Sequence, residues 1–295
     1  MFFHRISTYI LALTRKFITA SGHQLAYMEA NPEAHTSIFF LHGNSGSADI
    51  WREQLADPRL NKFRLIALDL PGHGESTHDH KPEEVYNVIA MSKLVSAAIR
   101  ELVHHHSIIV VGLSLGTNLI GEMLGNFFAP AGIVIISPTI VGENIAPSDL
   151  VMDGASATVL YDDHPDENLV NEYLEEVICR RDSELSRVIL NDYHRVKPFF
   201  RSTLKASIPA KLYSDEVANL MSYSNPILCI VGGEDQITSP TLMNRTKLNF
   251  WNQKIFTVEK AGHLVCLDEP RVVADMIYKY SEEMIMKKAH VSPRT

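Results

Sequence analysis

The pentapeptide Gly-Leu-Ser-Leu-Gly at residues 112–116 limits the possible folds of this chain more than any other feature of the sequence. It has the pattern G-x-S-x-G and lies between a β-rich apolar run that ends at Val111 and a helical pattern that begins near Asn118. This order predicts a sharp strand-to-helix turn that lifts the Ser114 hydroxyl out of a sheet. The flanking glycines avoid Cβ clashes in such a turn, and the N–H of Leu115 points where an oxyanion can be stabilised.

Short apolar runs recur along the chain, bounded by glycine, proline or polar residues. They lie at residues 37–41, 63–68, 107–112, 132–136 and 226–231, with a shorter run at 254–258. Continuous runs of this kind predict strands buried on both faces, as in a parallel sheet. A helical pattern, with apolar residues three and four apart, extends from Val88 to Leu102. The alternation of strands and helices predicts an α/β fold with a doubly wound, mostly parallel sheet.

Residues 137–225 interrupt this alternation. They contain charged helical stretches at 169–177 and 185–193 and no convincing strand pattern. We therefore predict one core with a helical cap inserted between two sheet strands. The expected division is an N-terminal extension (1–16), the core (17–136 and 226–288), the cap (137–225) and a C-terminal tail (289–295).

Composition and charge narrow the classes of partner. The 295 residues carry a formal net charge of -8 at pH 7, so the chain lacks the positive field that attracts nucleic acids. Three cysteines without a CxxC pair favour a reducing compartment, and we expect a cytoplasmic protein. The apolar run at 9–13 is too short to span a bilayer, although a weak signal anchor stays an alternative, and we expect no stable membrane insertion. The sequence does not indicate the oligomeric state.

A carboxylate and an imidazole follow the last two predicted strands. Asp235 comes after the first of these strands and His263 after the second. Because the carboxyl ends of parallel strands meet at one edge of a sheet, both can converge on Ser114. A serine hydroxyl needs a general base that is itself oriented by a carboxylate. Glu234 is a rival carboxylate, but we favour Asp235 because its arm is shorter and it lies further into the loop.

The loop at residues 42–46 follows an early strand. We expect the backbone N–H of Asn44 to act with that of Leu115 as a second oxyanion donor. His42 is expected to hydrogen-bond within the loop and has no assigned acid-base role. As an alternative role, the Asn44 side chain donates a hydrogen bond to the substrate.

Other clusters carry weaker signals. The histidine-rich stretches at 78–80 and 104–106 resemble metal ligands in composition only, because adjacent side chains on a helix do not face one another. We expect neither a metal nor a cofactor. Cys266 has apolar neighbours, which favour a small buried side chain over a second nucleophile.

From about residue 17 to 284, the chain resembles the α/β-hydrolase superfamily. The resemblance rests on five ordered motifs: His-Gly-Asn (42–44), Asp-Leu-Pro-Gly-His-Gly-Glu-Ser (69–76), Gly-Leu-Ser-Leu-Gly (112–116), Gly-Glu-Asp (233–235) and Gly-His (262–263). Serine at position 114 disfavours haloalkane dehalogenases and epoxide hydrolases, which carry aspartate there. The motifs are specific for fold and nucleophile and poor at naming a substrate.

The resemblance implies roles for individual residues. It implies a triad of Ser114, Asp235 and His263. It also implies that the amides of Asn44 and Leu115 form the oxyanion hole. The expected activity is hydrolysis of a small carboxylic ester or lactone through an acyl-enzyme intermediate, without a cofactor.

The segments 41–47 and 69–77 are similar to those of α/β-hydrolase-type N-acyl-homoserine lactonases. Those enzymes carry a glutamate directly after the aspartate of the strand-seven loop, where this chain has Gln236. Three alternatives share the motifs: a hydrolase of carbon–carbon bonds in ring-cleavage products, a cofactor-free dioxygenase, and a hormone-receptor-like binding module. Turnover of a vinylogous diketo acid would identify the carbon–carbon bond hydrolase, and oxygen consumption would identify the dioxygenase. A stable ligand complex without turnover would identify the binding module.

Overall fold

Eight strands form a single sheet in the computed structural model, which describes residues 13–77, 81–103, 107–125, 128–152 and 156–291. The strands are β1 (Lys16–Ala20), β2 (His23–Ala30), β3 (Ser37–Leu41), β4 (Arg64–Leu68), β5 (Ile108–Leu113), β6 (Gly132–Ile136), β7 (Ile227–Gly232) and β8 (Phe250–Val258). Their order is β1-β2-β4-β3-β5-β6-β7-β8. β2 pairs antiparallel with β1 and β4, and all other neighbours are parallel. The predicted mostly parallel sheet is confirmed.

Helices cover both faces of this sheet. They are α1 (Arg52–Leu55), α2 (Pro82–Val85), α3 (Val88–Leu102), α4 (Leu115–Leu124), α5 (Glu167–Val177), α6 (Ser183–His194), α7 (Phe200–Ser207), α8 (Glu216–Met221), α9 (Val265–Asp268) and α10 (Pro270–Val291). Side chains alternate along β5, so Val111 packs in the same core cluster as Ile277 of α10, whereas Val110 packs in the cluster that contains Leu119 of α4. The Tyr280 hydroxyl of α10 donates to the carbonyl of Pro226 at 2.7 Å.

The sheet extends beyond the predicted strands at both edges. β1 and β2 form an antiparallel hairpin that the search for continuous apolar runs did not detect, because polar residues such as Thr19 and Glu29 shorten the apolar run in each strand. β8 begins at Phe250 rather than at residue 254. Asn252 and Gln253 both have a φ of 54°, and the pairing of β8 with β7 shifts register nearby. This irregular backbone interrupts the apolar pattern that the sequence analysis used.

Residues between β6 and β7 form helices and turns. Within the described part of this segment, the β pairing is an isolated bridge between Gly142 and Ile145. α8 lies against the core helix α4, where Asn219 Nδ2 donates to the carbonyl of Gly121 at 3.1 Å. The division into core and cap at residues 137 and 225 stays a prediction.

Arg15 ties the chain before β1 to the sheet. Its Nε lies 2.6 Å from Oδ2 of Asp69, and its Nη2 lies 2.8 Å from Oδ2 of Asp49. Residues 1–12 of the expected N-terminal extension lie outside the described residues. Among the helices that the structure describes, none has the length and apolar character needed to cross a membrane.

Candidate active site

Ser114 lies between the end of β5 and the start of α4. Its φ of 51° and ψ of -119° place it in a region that a residue with a side chain rarely adopts. Such strain costs on the order of 1–3 kcal/mol and persists only where the surrounding structure imposes it. The Ser114 N–H donates to the carbonyl of Ile136 at 3.0 Å, which fixes the turn to β6. The helix begins at Leu115, earlier than the apolar pattern near Asn118 indicated.

The two glycines of the motif are required because neighbouring backbone segments come very close to both positions. A Cβ at Gly112 would lie 2.7 Å from the backbone of Gly116, and a Cβ at Gly116 would lie 2.5 Å from the carbonyl oxygen of Leu41. Neither contact is sterically possible without a shift of the backbone. The strand, the helix and the end of β3 therefore pack this closely only because both positions lack a side chain.

His263 and Asp235 are brought together although 28 positions separate them in the chain. Asp235 lies in the loop after β7, and His263 lies in the loop after the neighbouring β8. The Nδ1 of His263 lies 2.9 Å from Oδ2 of Asp235, and both side chains are buried. With this bond in place, Nε2 is the ring nitrogen that remains for proton transfer.

Four donors surround the Asp235 carboxylate. Oδ1 accepts from the N–H groups of Ile237 and Thr238 at 2.8 and 2.9 Å. Oδ2 accepts from the Thr238 hydroxyl at 2.9 Å in addition to the His263 ring. Burial by itself would raise the pKa of Asp235, but the neighbouring His263 and the backbone donors outweigh it and lower the pKa below its usual value. The carboxylate is thus held ionised in an interior position.

The rival carboxylate of Glu234 lies in a different environment. It is exposed, and its Oε2 accepts from the thiol of Cys179 at 3.7 Å. Asp235, and not Glu234, therefore accepts the hydrogen bond from Nδ1 of His263. Gln236 is also exposed.

Ser137 holds the backbone of the His263 loop. It follows β6 with a φ of 43°, and its hydroxyl donates to the carbonyl oxygen of His263 at 2.7 Å. Its N–H donates to the carbonyl of Ile230 at 2.9 Å. Sequence reasoning used this position only as the first residue of the predicted cap and missed its role. A small polar residue at the end of a predicted strand was the available signal.

Asn44 lies in the loop after β3, next to Ser114. A Cβ at Gly43 would lie 3.2 Å from Cβ of Ser114, which shows how closely this loop approaches the serine. The Asn44 side chain donates through Nδ2 to the carbonyl of Leu160 at 2.9 Å, and its Oδ1 accepts from the Ser45 hydroxyl at 3.0 Å. The side chain thus joins the loop to the segment between β6 and β7, and the Leu160 carbonyl accepts one of the two amide hydrogens considered for the substrate.

Two buried histidines brace the same loop. His42 accepts the N–H of Leu70 on Nε2 at 2.9 Å, so its Nδ1 carries the proton that bonds the carbonyl of Gly43 at 2.7 Å. His73 accepts the N–H of Ser45 at 3.1 Å. Burial lowers the pKa of His42 to about 4 and holds the pKa of His73 well below its usual range. Both rings are neutral, and both form hydrogen bonds that join the loop after β3 to the loop after β4.

A cavity contains Ser114, Leu115 and Asn44 in its wall. Its volume is about 750 Å³, including the part open to solvent. Most of the wall is apolar, contributed by Val88, Val141, Pro147, Leu150, Val151, Leu160, Leu204, Ile208 and Ile237. Asn118, Thr139 and Glu216 form a polar part of the same wall. The cavity suits a small, largely apolar molecule with few polar groups.

Other sequence candidates have different outcomes. Cys266 is fully buried, and burial raises its pKa, which confirms the interpretation as a small apolar side chain. The histidine-rich stretches at 78–80 and 104–106 lie outside the described residues. Among the residues that the structure describes, no group of three or more His, Cys, Asp or Glu is placed to hold a metal ion.

Comparisons with known proteins identify a matching family and several partial relatives. The sequence profile of the Alpha/beta hydrolase family matches residues 38–276. Among curated proteins, the chain is 36% identical over 66 residues to a dihydrolipoyllysine-residue acetyltransferase component of an acetoin cleaving system from Cupriavidus necator, a match that covers 22% of this chain and 17% of that protein. The curated relatives are matched over about half of their length at most.

Solved structures are similar over nearly the whole chain. The N-acyl homoserine lactonase AidH, complexed with N-butanoyl homoserine, has a TM-score of 0.81 at 20% identity and covers 92% of this chain and 97% of its own. A thermophilic esterase from Thermogutta terrifontis has a TM-score of 0.74 at 19% identity and covers 92% and 99%. At these identities the likeness shows a shared fold.

Proposed function

Since this chain belongs to the alpha/beta hydrolase family, we propose that it is a cofactor-independent serine hydrolase that cleaves a small carboxylic ester or lactone. The observation that carries the proposal is the 2.9 Å hydrogen bond between His263 and Asp235, at the sheet edge that also presents Ser114. A strained serine, an oriented imidazole and an ionised carboxylate are the groups that nucleophilic acyl transfer needs.

Acylation begins with proton transfer from the Ser114 hydroxyl to Nε2 of His263 while the serine oxygen bonds to the carbonyl carbon. The carbonyl oxygen becomes an oxyanion, which accepts hydrogen bonds from the backbone N–H groups of Asn44 and Leu115. Leu115 is the first residue of α4, so its N–H is one of the donors that a helix leaves without an internal partner. His263 then protonates the leaving alkoxide oxygen as the bond to carbon breaks.

Deacylation repeats these steps with water. His263 takes a proton from water, the hydroxyl attacks the acyl carbon, and the Ser114 oxygen leaves and recovers its proton. An ester yields an acid and an alcohol, whereas a lactone yields one hydroxy acid. Asp235 keeps Nδ1 protonated throughout and stabilises the imidazolium that forms.

The substrate class follows from the surroundings of Ser114. The wall of the cavity is mostly apolar, which favours an acyl chain over a charged group. The net charge of -8 also disfavours polyanionic substrates. The fold is shared with lactonases and esterases, and a panel of esters and homoserine lactones is the appropriate set of probes.

The nucleophile is tested by comparing the wild-type protein with Ser114→Ala and with Ser222→Ala, which removes an exposed hydroxyl on the C-terminal side of α8. A fluorophosphonate probe should label the wild type and Ser222→Ala but not Ser114→Ala. With p-nitrophenyl butyrate, Ser114→Ala should lower kcat by about 10³-fold or more. Hydrolysis by Ser114→Ala at the wild-type rate would contradict the proposal.

A further inference from the structure

Glu216, at the start of α8, is a fully buried carboxyl group in the wall of the cavity that contains Ser114. Its Oε2 accepts from the N–H of Val141 at 2.9 Å and from Nδ2 of Asn118 at 2.7 Å. Its Oε1 is buried without a hydrogen-bond partner among the described residues. The mechanism proposed above uses neither Glu216 nor its partners.

The neighbouring groups fix which oxygen carries the proton. Asn118 also donates through Nδ2 to the carbonyl of Thr139 at 2.6 Å, and its Oδ1 accepts from the Thr139 hydroxyl at 2.7 Å. The amide orientation is therefore determined, and Oε2 of Glu216 faces two donors. A proton on the carboxyl group must reside on Oε1.

Burial raises the pKa of Glu216 well above its usual value, and the nearby Glu122 and Asp215 act in the same direction. The hydrogen bonds from Val141 and Asn118 oppose this shift without reversing it. Glu216 is fully buried and forms no ion pair among the described residues, so the protonated acid is favoured over a buried carboxylate, and its hydroxyl lacks an acceptor. A buried donor without a partner is unfavourable, so an acceptor supplied by a bound molecule is stabilised there.

The distance between this hydroxyl and Ser114 limits where an acceptor oxygen can lie along the substrate. Asn118 lies one turn beyond Ser114 along α4, which corresponds to about 6 Å of rise. Glu216 contacts Asn118. A substrate atom that is hydrogen-bonded to Glu216 is therefore a few covalent bonds away from the carbonyl that Ser114 attacks. The rest of the wall is mostly apolar and also includes the hydroxyl-bearing residues Tyr161, Ser207, Tyr213 and Thr238.

We propose that Glu216 is a specificity-determining residue that donates a hydrogen bond through Oε1 to an acceptor oxygen within the acyl chain of the substrate. The preferred substrate is an ester or lactone whose otherwise apolar acyl chain carries an ether, keto or amide oxygen a few atoms from the reacting carbonyl. This inference rests on the proposed hydrolase function and specifies its substrate.

An isosteric series of p-nitrophenyl esters tests the inference. Heptanoate, butoxyacetate, 3-propoxypropanoate and 4-ethoxybutanoate have acyl chains of the same length, with no ether oxygen or with one at successive positions. Each kcat/KM is divided by the rate constant of hydroxide hydrolysis of the same ester, which removes differences in intrinsic reactivity. In the wild type, at least one ether ester should exceed heptanoate by about tenfold, the effect of one well-placed hydrogen bond.

Two variants assign the preference to the carboxyl group. Glu216→Gln presents an N–H donor in place of the Oε1 hydroxyl and should keep the preference, whereas Glu216→Met should lose it and still hydrolyse heptanoate. If Glu216→Met does not fold, Glu216→Asp withdraws the hydroxyl by one methylene and should reduce the preference to about threefold or less. An unchanged preference in the folded Met or Asp variant would overturn the inference.

The series also separates this inference from the proposed function. Equal normalised kcat/KM for all four esters in the wild type would mean that water satisfies Oε1, and this would overturn the role of Glu216 alone. If the wild type hydrolysed none of the four, the proposed function would fail and this inference with it.

Discussion

The Nδ1 of His263 lies 2.9 Å from Oδ2 of Asp235, and the two residues belong to loops that follow the adjacent parallel strands β7 and β8. The carboxylate is held by three further donors from Ile237 and Thr238, so the position of the imidazole is set by a rigid partner. A pair that is fixed in this way lets one ring nitrogen exchange protons while the other keeps its proton.

Replacing Asp235 by asparagine should lower kcat strongly. The amide can no longer stabilise the imidazolium or hold Nδ1 in its protonated form, and we expect a loss of about 10³- to 10⁴-fold with p-nitrophenyl butyrate. Glu234→Gln is the matched control, because Glu234 is exposed and bonds Cys179 instead of His263. It should retain kcat within about twofold. A comparable loss in both variants would contradict the assignment.

Removing the Ser137 hydroxyl should displace the imidazole without affecting substrate binding. In Ser137→Ala, the carbonyl of His263 loses its hydrogen bond, and we expect kcat to fall by about tenfold with KM changed less than about twofold. Ser92→Ala removes a hydroxyl that donates to the Ile89 carbonyl in α3, and it should leave kcat unchanged. An unchanged kcat in Ser137→Ala would show that the loop is held by other contacts.

A side chain at Gly116 should destabilise the whole fold. The added Cβ would lie 2.5 Å from the carbonyl oxygen of Leu41, so Gly116→Ala must push α4 away from β3. We expect the free energy of unfolding, measured by urea denaturation, to fall by about 2 kcal/mol. Gly46→Ala is the control, because its nearest atoms would be at 3.5 Å, and it should change stability by less than about 0.5 kcal/mol. Equal stability of the two variants would refute this explanation of the motif.

The free energy of unfolding should decrease as the pH rises, because of Asp192. This residue joins α6 to the core by accepting a hydrogen bond from the Ser47 hydroxyl at 2.7 Å. Burial raises the pKa of Asp192 to about 7, the Ser47 hydrogen bond opposes the shift, and the nearby Asp49 and Asp69 add to it. The folded state therefore binds a proton more tightly than the unfolded state. This contribution is fully present below the unfolded pKa near 4 and is lost as the pH rises through 7.

The variant Asp192→Asn isolates this effect. Between pH 5 and pH 8, the free energy of unfolding of the wild type should fall by about 2–3 kcal/mol relative to that of the variant, as measured by urea denaturation at each pH. A constant difference between the two proteins over this range would mean that Asp192 does not titrate there.

Sequence reasoning found the strands that are buried on both faces and the turns between them, because continuous apolar runs and glycine-bounded motifs are local signals. It missed β1 and β2, in which polar residues shorten the apolar run, and it shortened β8, where Asn252 and Gln253 adopt positive φ. It also gave no indication of Glu216. A glutamate at the start of a short helix is usually solvated, whereas here it is fully buried and packs closely against Gly121 of α4.

The sequence by itself determined the alternation of fully buried strands with helices, the turn that presents Ser114, and the two loops that carry Asp235 and His263. The tertiary structure decided which carboxylate bonds the imidazole, that the Asn44 side chain bonds Leu160, and that Glu216 lies in the cavity wall. The first set follows from local hydrophobic periodicity and steric limits on short segments. The second depends on contacts between residues far apart in the chain, which exist only after the sheet has formed and burial has changed the energies of polar groups.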